Sequence, residues 1–172
     1  EFEYRGSIFK KNPHWIVVSV LFELTKNNHV FRLDYGNVRE QMHGKELSLD
    51  IVRQTIIEIR KSKLPLPSEM GSAGSFFKNP VVQESVYDDI RLHYEDVPFY
   101  RVEGGVKIPA AWLISQCGWK GKSHGFAGVY EKQPLILVNR GGATGQEVFE
   151  LMEEIQDSVK KEFGILLSPE VC

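Results

Sequence analysis

The clearest periodicity lies late in the chain, where Val148, Leu151, Met152, Ile155, Val159 and Phe163 recur at the three-and-four spacing of one helix face. Thr144 and Glu147 stand at capping-box spacing ahead of this stripe and Gly164 follows it, so a helix is predicted between them. An earlier helix is predicted from Ser48, its candidate cap, with Val52, Ile56 and Ile59 on one face. Lys63-Leu64-Pro65-Leu66-Pro67 stops it, because two prolines so close force extended backbone. Asn79-Pro80 reads as a cap and first-turn proline opening a helix through Val81, Val82, Val86 and Ile90. A shorter helix starts at Pro109, carries Ala110, Leu113, Ile114 and Cys117 inward, and ends at Gly118.

Runs of β-branched and aromatic residues mark strands instead. Trp15 to Thr25, with Ile16, Val17, Val18, Val20 and Phe22, suits a strand buried on both faces or on one, and Pro134 to Asn139 and Ile165 to Ser168 read as strands. Weaker strands are expected at Phe99 to Val102 and near Val106. Helices and strands in this order predict an α+β chain, a small mixed sheet with packed helices, and the two prolines place a domain boundary near residue 66. No repeat or low-complexity segment interrupts the pattern.

Composition narrows the picture. The 172 residues, 42% hydrophobic and 26% charged, can bury one sizeable core or one core plus a fragment. With 21 basic and 23 acidic residues the net charge is −2, which gives no field for nucleic acid or an anionic membrane. Apolar stretches such as Trp15 to Phe22 are far shorter than the roughly 20 residues of a membrane span. Cys117 and Cys172 offer neither a disulfide framework nor metal-ligand spacing, which suits a reducing cytoplasm. His14, His29, His43, His93 and His124 are scattered, each reads as a surface or loop residue, and no metal is assigned.

Two glycine-rich segments carry candidate chemistry. In Gly71-Ser72-Ala73-Gly74-Ser75-Phe76-Phe77-Lys78-Asn79-Pro80 a small-residue loop opens onto the predicted helix start, where free N–H groups suit an anion and Ser75 offers a hydroxyl beside it. A plain turn capped by Asn79 fits the same pattern. Gly118 to Gly128 mixes small residues with Lys120 and Lys122, which suits a phosphate or sugar but equally a solvated connector. The chain holds no G-x-G-x-x-G and no Walker loop.

The strings Tyr4-Arg5-Gly6-Ser7-Ile8-Phe9-Lys10, GSAGSFFKNPVV (71–82), IPAAWLISQCGWKGKSHGFAGV (108–129) and SPEV (168–171), in this order, resemble the UDP-N-acetylenolpyruvoylglucosamine reductase family. The resemblance covers nearly the whole chain. It implies three domains in the complete protein, two for FAD and a third for the UDP-sugar. On that pattern residues 1–66 are the remnant of the second, an α+β FAD-binding domain, and 67–172 are the substrate domain, with the main flavin loops in a missing amino-terminal region of the same protein.

The resemblance implies a cytoplasmic oxidoreductase of peptidoglycan synthesis in which NADPH reduces FAD and the flavin passes hydride to UDP-N-acetylglucosamine enolpyruvate, giving UDP-N-acetylmuramate. By motif match Ser75 is the proton donor, and Arg5 and Glu170 lie around the enolpyruvyl carboxylate. A guanidinium suits that role because its pairing strengthens as charge moves onto the carboxylate. Tyr4, Tyr35, Lys63, Asn79 and Gln133 fall in the substrate site, with Lys63 and Asn79 toward the diphosphate and Tyr35 on a loop that closes over the ligand. Arg60 matches a flavin contact. Phe126 and Tyr130 depart from the pattern, standing where related sequences often carry glycine and histidine. The chain alone is expected to be inactive; a non-catalytic nucleotide-sugar-binding module is the alternative.

Overall fold

The computed structural model describes residues 2–3, 6–12 and 14–170 of the chain. Tyr4, Arg5 and Cys172 lie outside the described residues. The chain divides into two compact units, Glu1–Thr55 and Ile56–Cys172.

In the first unit, β1 (Phe2–Glu3) pairs antiparallel with β2 (Gly6–Ser7), which leads into the single turn α1 (Ile8–Lys11). A second turn, α2 (Val38–Gln41), buries Val38 beside Met42. The helix α3 (Leu49–Lys63) begins in this unit with Ser48 Oγ accepting from Ile51 N at 3.3 Å, the cap expected from sequence. Its one fully buried residue is Thr55, whose hydroxyl donates to Met42 Sδ at 3.3 Å. The predicted stripe is shallower, with Val52 and Ile59 half-buried and Ile56 exposed.

The predicted strand at Trp15–Thr25 does not form. Residues 15–25 are irregular, and their apolar side chains face solvent, Leu21 at 99% exposure. The physical reason is that β propensity describes fit to a pleated neighbour, and among the described residues no backbone ladder is offered to this segment.

The second unit holds the main core. A four-stranded sheet in the order β3 (Gly71–Ser75), β9 (Ile136–Asn139), β8 (Ala127–Val129), β7 (Ser123–His124) lies with a three-stranded one, β4 (Val81–Val82), β6 (Gly105–Lys107), β5 (Tyr100–Val102). The class is α+β as expected, but every described strand pair is antiparallel rather than mixed. Three helices, α4 (Glu84–His93), α5 (Ala110–Gln116) and α6 (Gly145–Phe163), complete the unit.

Helix α6 follows its sequence pattern closely. Thr144 Oγ1 accepts from Glu147 N while Glu147 Oε2 accepts from Thr144 N, the capping box, and Gly164 closes the helix at φ 68. Its inward residues Leu151, Ile155, Val159 and Phe163 are buried with Leu113 and Ile114 of α5, with Val106 and Leu137 of the sheets and with Ile108 just after β6. Each such side chain contributes on the order of 1.5–3 kcal/mol on burial. Tyr94, Trp112 and Phe163 stack mutually, with centroids 5.4 to 5.7 Å apart.

Three expectations are corrected in this unit. No helix starts at Asn79-Pro80: Val81 and Val82 pair with Lys107 and Val106, and α4 begins only after Gln83. Two β-branched residues beside a partner strand outweigh the local cap-and-proline signal. The small-residue loop at 71–75 is the strand β3, its poor β propensity overridden by pairing with β9. Residues 165–168 are extended, with Ile165 and Leu167 buried, but form no strand; only an isolated bridge, Phe77 to Pro169, follows.

Candidate functional site

Three of the residues expected to carry chemistry, Ser75, Gln133 and Glu170, lie on or next to segments bonded to the backbone that continues β3. Pairing of β3 with β9 places Ser72 opposite Val138 and Ser75 opposite Ile136, so two residues of β3 stand against one of β9. This bulge, with Gly74 at φ 77, re-aims the strand end and leaves Ser75 half-buried. Beyond it the backbone is gripped from two sides. Phe76 N donates to Leu135 O at 2.8 Å, Glu170 N donates to Phe76 O at 2.7 Å, and Lys78 N donates to Ser168 O at 2.9 Å. Phe76 and Phe77, both buried and edge-to-face at 5.2 Å, anchor the segment in the core.

Ser75 and Glu170 are thus neighbours through Phe76, although 95 positions separate them in sequence (170 − 75). Gln133 joins them because Ile136 N donates to its carbonyl at 3.0 Å, closing the turn that leads to Leu135. Glu170 Oε2 is withdrawn from solvent, in keeping with a carboxyl set into protein rather than on its surface. Gln156 on α6 reinforces the arrangement by donating from Nε2 to Leu167 O at 2.7 Å, which fixes the segment that delivers Glu170. Sequence reasoning passed over Gln156, which looks like an ordinary helix-surface residue.

Asn79 has a different local role from the one expected. Its Oδ1 accepts from Ala110 N at 2.9 Å, so it caps α5 across the fold instead of a helix of its own. The helix start invoked beside Ser75 is therefore absent, and its dipole is not available there. Lys63 and Arg60 lie exposed on the last turns of α3. Tyr35 belongs to the first unit, 89% exposed, in a turn where Arg39 pairs with Asp34. Arg5 and Tyr4 fall outside the described residues.

The second glycine-rich segment is a β-hairpin, β7 and β8, joined by Gly125 and Phe126. Gly125 takes φ 55, and a side chain there would run into the Glu147 carboxyl. Glu147 binds the turn directly: Oε1 accepts from Phe126 N at 3.0 Å while Oε2 serves the α6 cap. The Thr144 amide bond, the Phe126 amide bond and the Thr144 hydroxyl together hold the Glu147 carboxyl below the usual carboxylate range. Tyr130, one of the two departures from the family pattern, is buried with Ile136, Val138, Leu64 and Met70, so it packs as core. Burial and the charge of Glu162 push the Cys117 thiol up to about 11, which makes it inert at neutral pH.

Two clefts open elsewhere. One of about 650 Å³ is lined by Val86, Ile90, His93, Tyr94 and Glu162, and one of about 450 Å³ by Glu69, Met70, Gly71, Asn139 and Arg140. Neither is lined by Ser75, Glu170 or Gln133. Among the described residues no group of His, Cys, Asp or Glu could hold a metal, and no helix is long and apolar enough to cross a membrane. A flavin needs a walled slot for its ring, and Arg60, the residue the resemblance gives to it, is exposed and lines neither cleft. Of the flavin contacts that the resemblance implies, the described residues include Arg60, on the exposed last turns of α3.

Comparison with known proteins identifies the family. The model of the UDP-N-acetylenolpyruvoylglucosamine reductase C-terminal domain matches residues 66–172. The chain belongs to this family. A UDP-N-acetylenolpyruvoylglucosamine reductase of Bacteroides fragilis is 47% identical over 99% of the chain and 52% of its own length. One from Flavobacterium johnsoniae is 44% identical, again over 99% of the chain and 52% of its own length. A crystal structure of the Thermus caldophilus reductase is 24% identical, covering 73% of this chain and 35% of its own, at a TM-score of 0.42. The chain spans about half the length of the curated relatives it matches.

Proposed function

We propose that this chain is the substrate-handling part of a flavin-dependent oxidoreductase of peptidoglycan precursor synthesis, which reduces UDP-N-acetylglucosamine enolpyruvate to UDP-N-acetylmuramate. The observation that carries the reading is the bonding of Phe76 to both Leu135 and Glu170, which gathers Ser75, Gln133 and Glu170 from three distant stretches. Convergence of three family-motif residues on one backbone segment is what a shared task requires and what chance packing has no reason to produce. In this reading residues 67–172 form the UDP-sugar domain, residues 1–66 the end of a flavin domain, and the enzyme works in the cytoplasm. FAD, reduced by NADPH, would supply the hydride; the residues described here bind and protonate the substrate.

Hydride arriving at the terminal methylene leaves negative charge on the neighbouring carbon, delocalised into the carboxylate. Arg5 pairs with that carboxylate, and the half-buried Glu170 orients it or, when protonated, donates to it. Ser75 then gives its hydroxyl proton to the carbanionic carbon, an acceptor far more basic than water. Lys78 remains the cation near enough in sequence to stabilise the serine oxygen. Lys63 and Asn79 face the diphosphate, Gln133, Tyr4 and Tyr35 complete the substrate contacts, and Arg60 touches the flavin.

The test is Ser75→Ala in the complete protein, followed by rapid mixing. Flavin reduction by NADPH should stay nearly unchanged, while substrate reduction falls by roughly two to four orders of magnitude. Ser75→Cys should recover part of the loss. Equal slowing of both half-reactions would reduce Ser75 to a structural residue. The 172-residue chain alone should purify colourless and oxidise no NADPH; retained stoichiometric flavin would refute the assignment of the flavin loops elsewhere.

A further inference from the structure

Away from Ser75, the densest group of titratable side chains lies where the 123–129 hairpin meets α6. Glu147, Glu150 and Glu154 stand at i, i+3 and i+7, on one face of the helix. Three carboxylates so placed repel one another unless a cation stands among them. His124, on β7, occupies that position: Nδ1 lies 2.9 Å from Glu154 Oε1, and Nε2 lies 3.1 Å from Glu150 Oε2.

The protonation state decides whether this contact attracts. A neutral imidazole has one N–H and one lone pair, so in either tautomer one ring nitrogen turns its lone pair toward a carboxylate. Only the imidazolium donates to both. Two residues further on, Phe126 N donates to Glu147 Oε1 at 3.0 Å, so a charge-dependent contact and a backbone contact bind the hairpin to α6 side by side. Among the described residues, Arg140 also packs on this region, donating to Val129 O and Gly121 O and facing Glu131, and Lys122 stacks over Trp119.

We infer that His124 is a positioning residue: as imidazolium it clasps the hairpin to α6 through Glu150 and Glu154, and loss of a proton opens that clasp while the Phe126–Glu147 bond remains. Of these polar contacts between the hairpin and α6, the Phe126–Glu147 bond is then the one kept, beside the apolar packing of Ala127 and Val129. The clasp follows from the geometry of hairpin and helix; its bearing on ligand affinity rests on the reading of segment 118–128 as a nucleotide-sugar contact.

Amide hydrogen exchange on the 172-residue chain, corrected for intrinsic rates between pH ~5 and ~8, tests the clasp. Protection of Phe126 and Val129 should fall about two- to five-fold as the imidazole deprotonates, the range expected for partly exposed ion pairs. His124→Gln and the double variant Glu150→Gln/Glu154→Gln should each abolish this pH dependence, while amides of β5 and β6 stay unchanged. A flat profile in the parent, or the same slope in His124→Gln, overturns the inference. Titration with UDP-N-acetylglucosamine forms the second arm. Affinity that weakens over the same pH range in the parent and not in His124→Gln supports positioning, whereas pH-independent binding overturns it. If no form binds, the reading of the segment as a ligand contact falls, and hydrogen exchange alone decides the clasp.

Discussion

Residues 15–24 and residues 165–170 are two apolar-rich segments outside the named helices and strands, with opposite fates. The first carries the stronger β-rich pattern, with Trp15, Ile16, Val17, Val18, Val20 and Phe22, yet its side chains stand in solvent. The second is shorter and less regular, yet Ile165 and Leu167 are buried, Ser168 O and Glu170 N bond to the strand beyond Ser75, and Leu167 O receives Gln156. What separates them is the supply of partners. A strand pattern states what a segment will accept; burial follows only where the rest of the unit offers a ladder and an apolar surface.

The sharpest way to break this comparison is to separate the units. Residues 56–172, which hold the large core, should unfold in one cooperative transition when produced alone, and residues 1–55 should show none. Urea titration by circular dichroism distinguishes the outcomes. A cooperative transition in 1–55 would mean that the exposed apolar segment packs in solution. The same contrast holds for single side chains. Leu151→Ala, at a fully buried site, should cost about 2–5 kcal/mol. Leu21→Ala, at an exposed one, should stay within about 0.5 kcal/mol.

These contrasts also explain what was legible in the sequence. Signals confined to one turn of chain were read correctly: Ser48 caps α3, Thr144 and Glu147 make their box, and Gly164 ends α6. Signals that depend on distant partners were not. Asn79-Pro80 looks like a helix start, but Val81 finds Lys107 of β6 26 residues later (107 − 81), Val82 finds Val106, and Asn79 caps α5 instead. Gly71–Ser75 lacks every strand preference and becomes one because β9 lies beside it. Ser75 and Glu170 could be named from the family strings, but their meeting through Phe76 is a tertiary fact. His124 was read as a surface residue, because the carboxylates it meets, Glu150 and Glu154, lie 26 and 30 residues away (150 − 124, 154 − 124).

If the held segment owes its order to bonds as well as burial, removing one bond should loosen it. Gln156→Leu keeps a comparable volume and leaves Leu167 O without its side-chain donor, which should cost about 1–3 kcal/mol in urea titration. The exchange rate of the Glu170 amide, bonded to Phe76 O, should rise with it. Unchanged stability together with unchanged Glu170 exchange would show that burial of Ile165 and Leu167 suffices.

The smallest expected effect concerns acid. Glu147 accepts from Thr144 N, Phe126 N and Thr144 Oγ1, and those bonds favour its ionised form, so its carboxyl titrates lower when folded than unfolded. The unfolded state therefore binds the proton more readily, and protonation favours unfolding. The resulting stabilisation is fully present above the unfolded carboxylate value of about 4.3. It is lost as pH falls below that value and through the depressed folded one. Glu147→Gln keeps the side-chain length but cannot ionise, so the stability difference between parent and variant should be constant near neutral pH and shrink on acidification. Thermal melts from pH ~7 to ~2.5 measure it. A difference that persists undiminished at the acid end would mean that the carboxyl bonds of Glu147 do not depend on its charge.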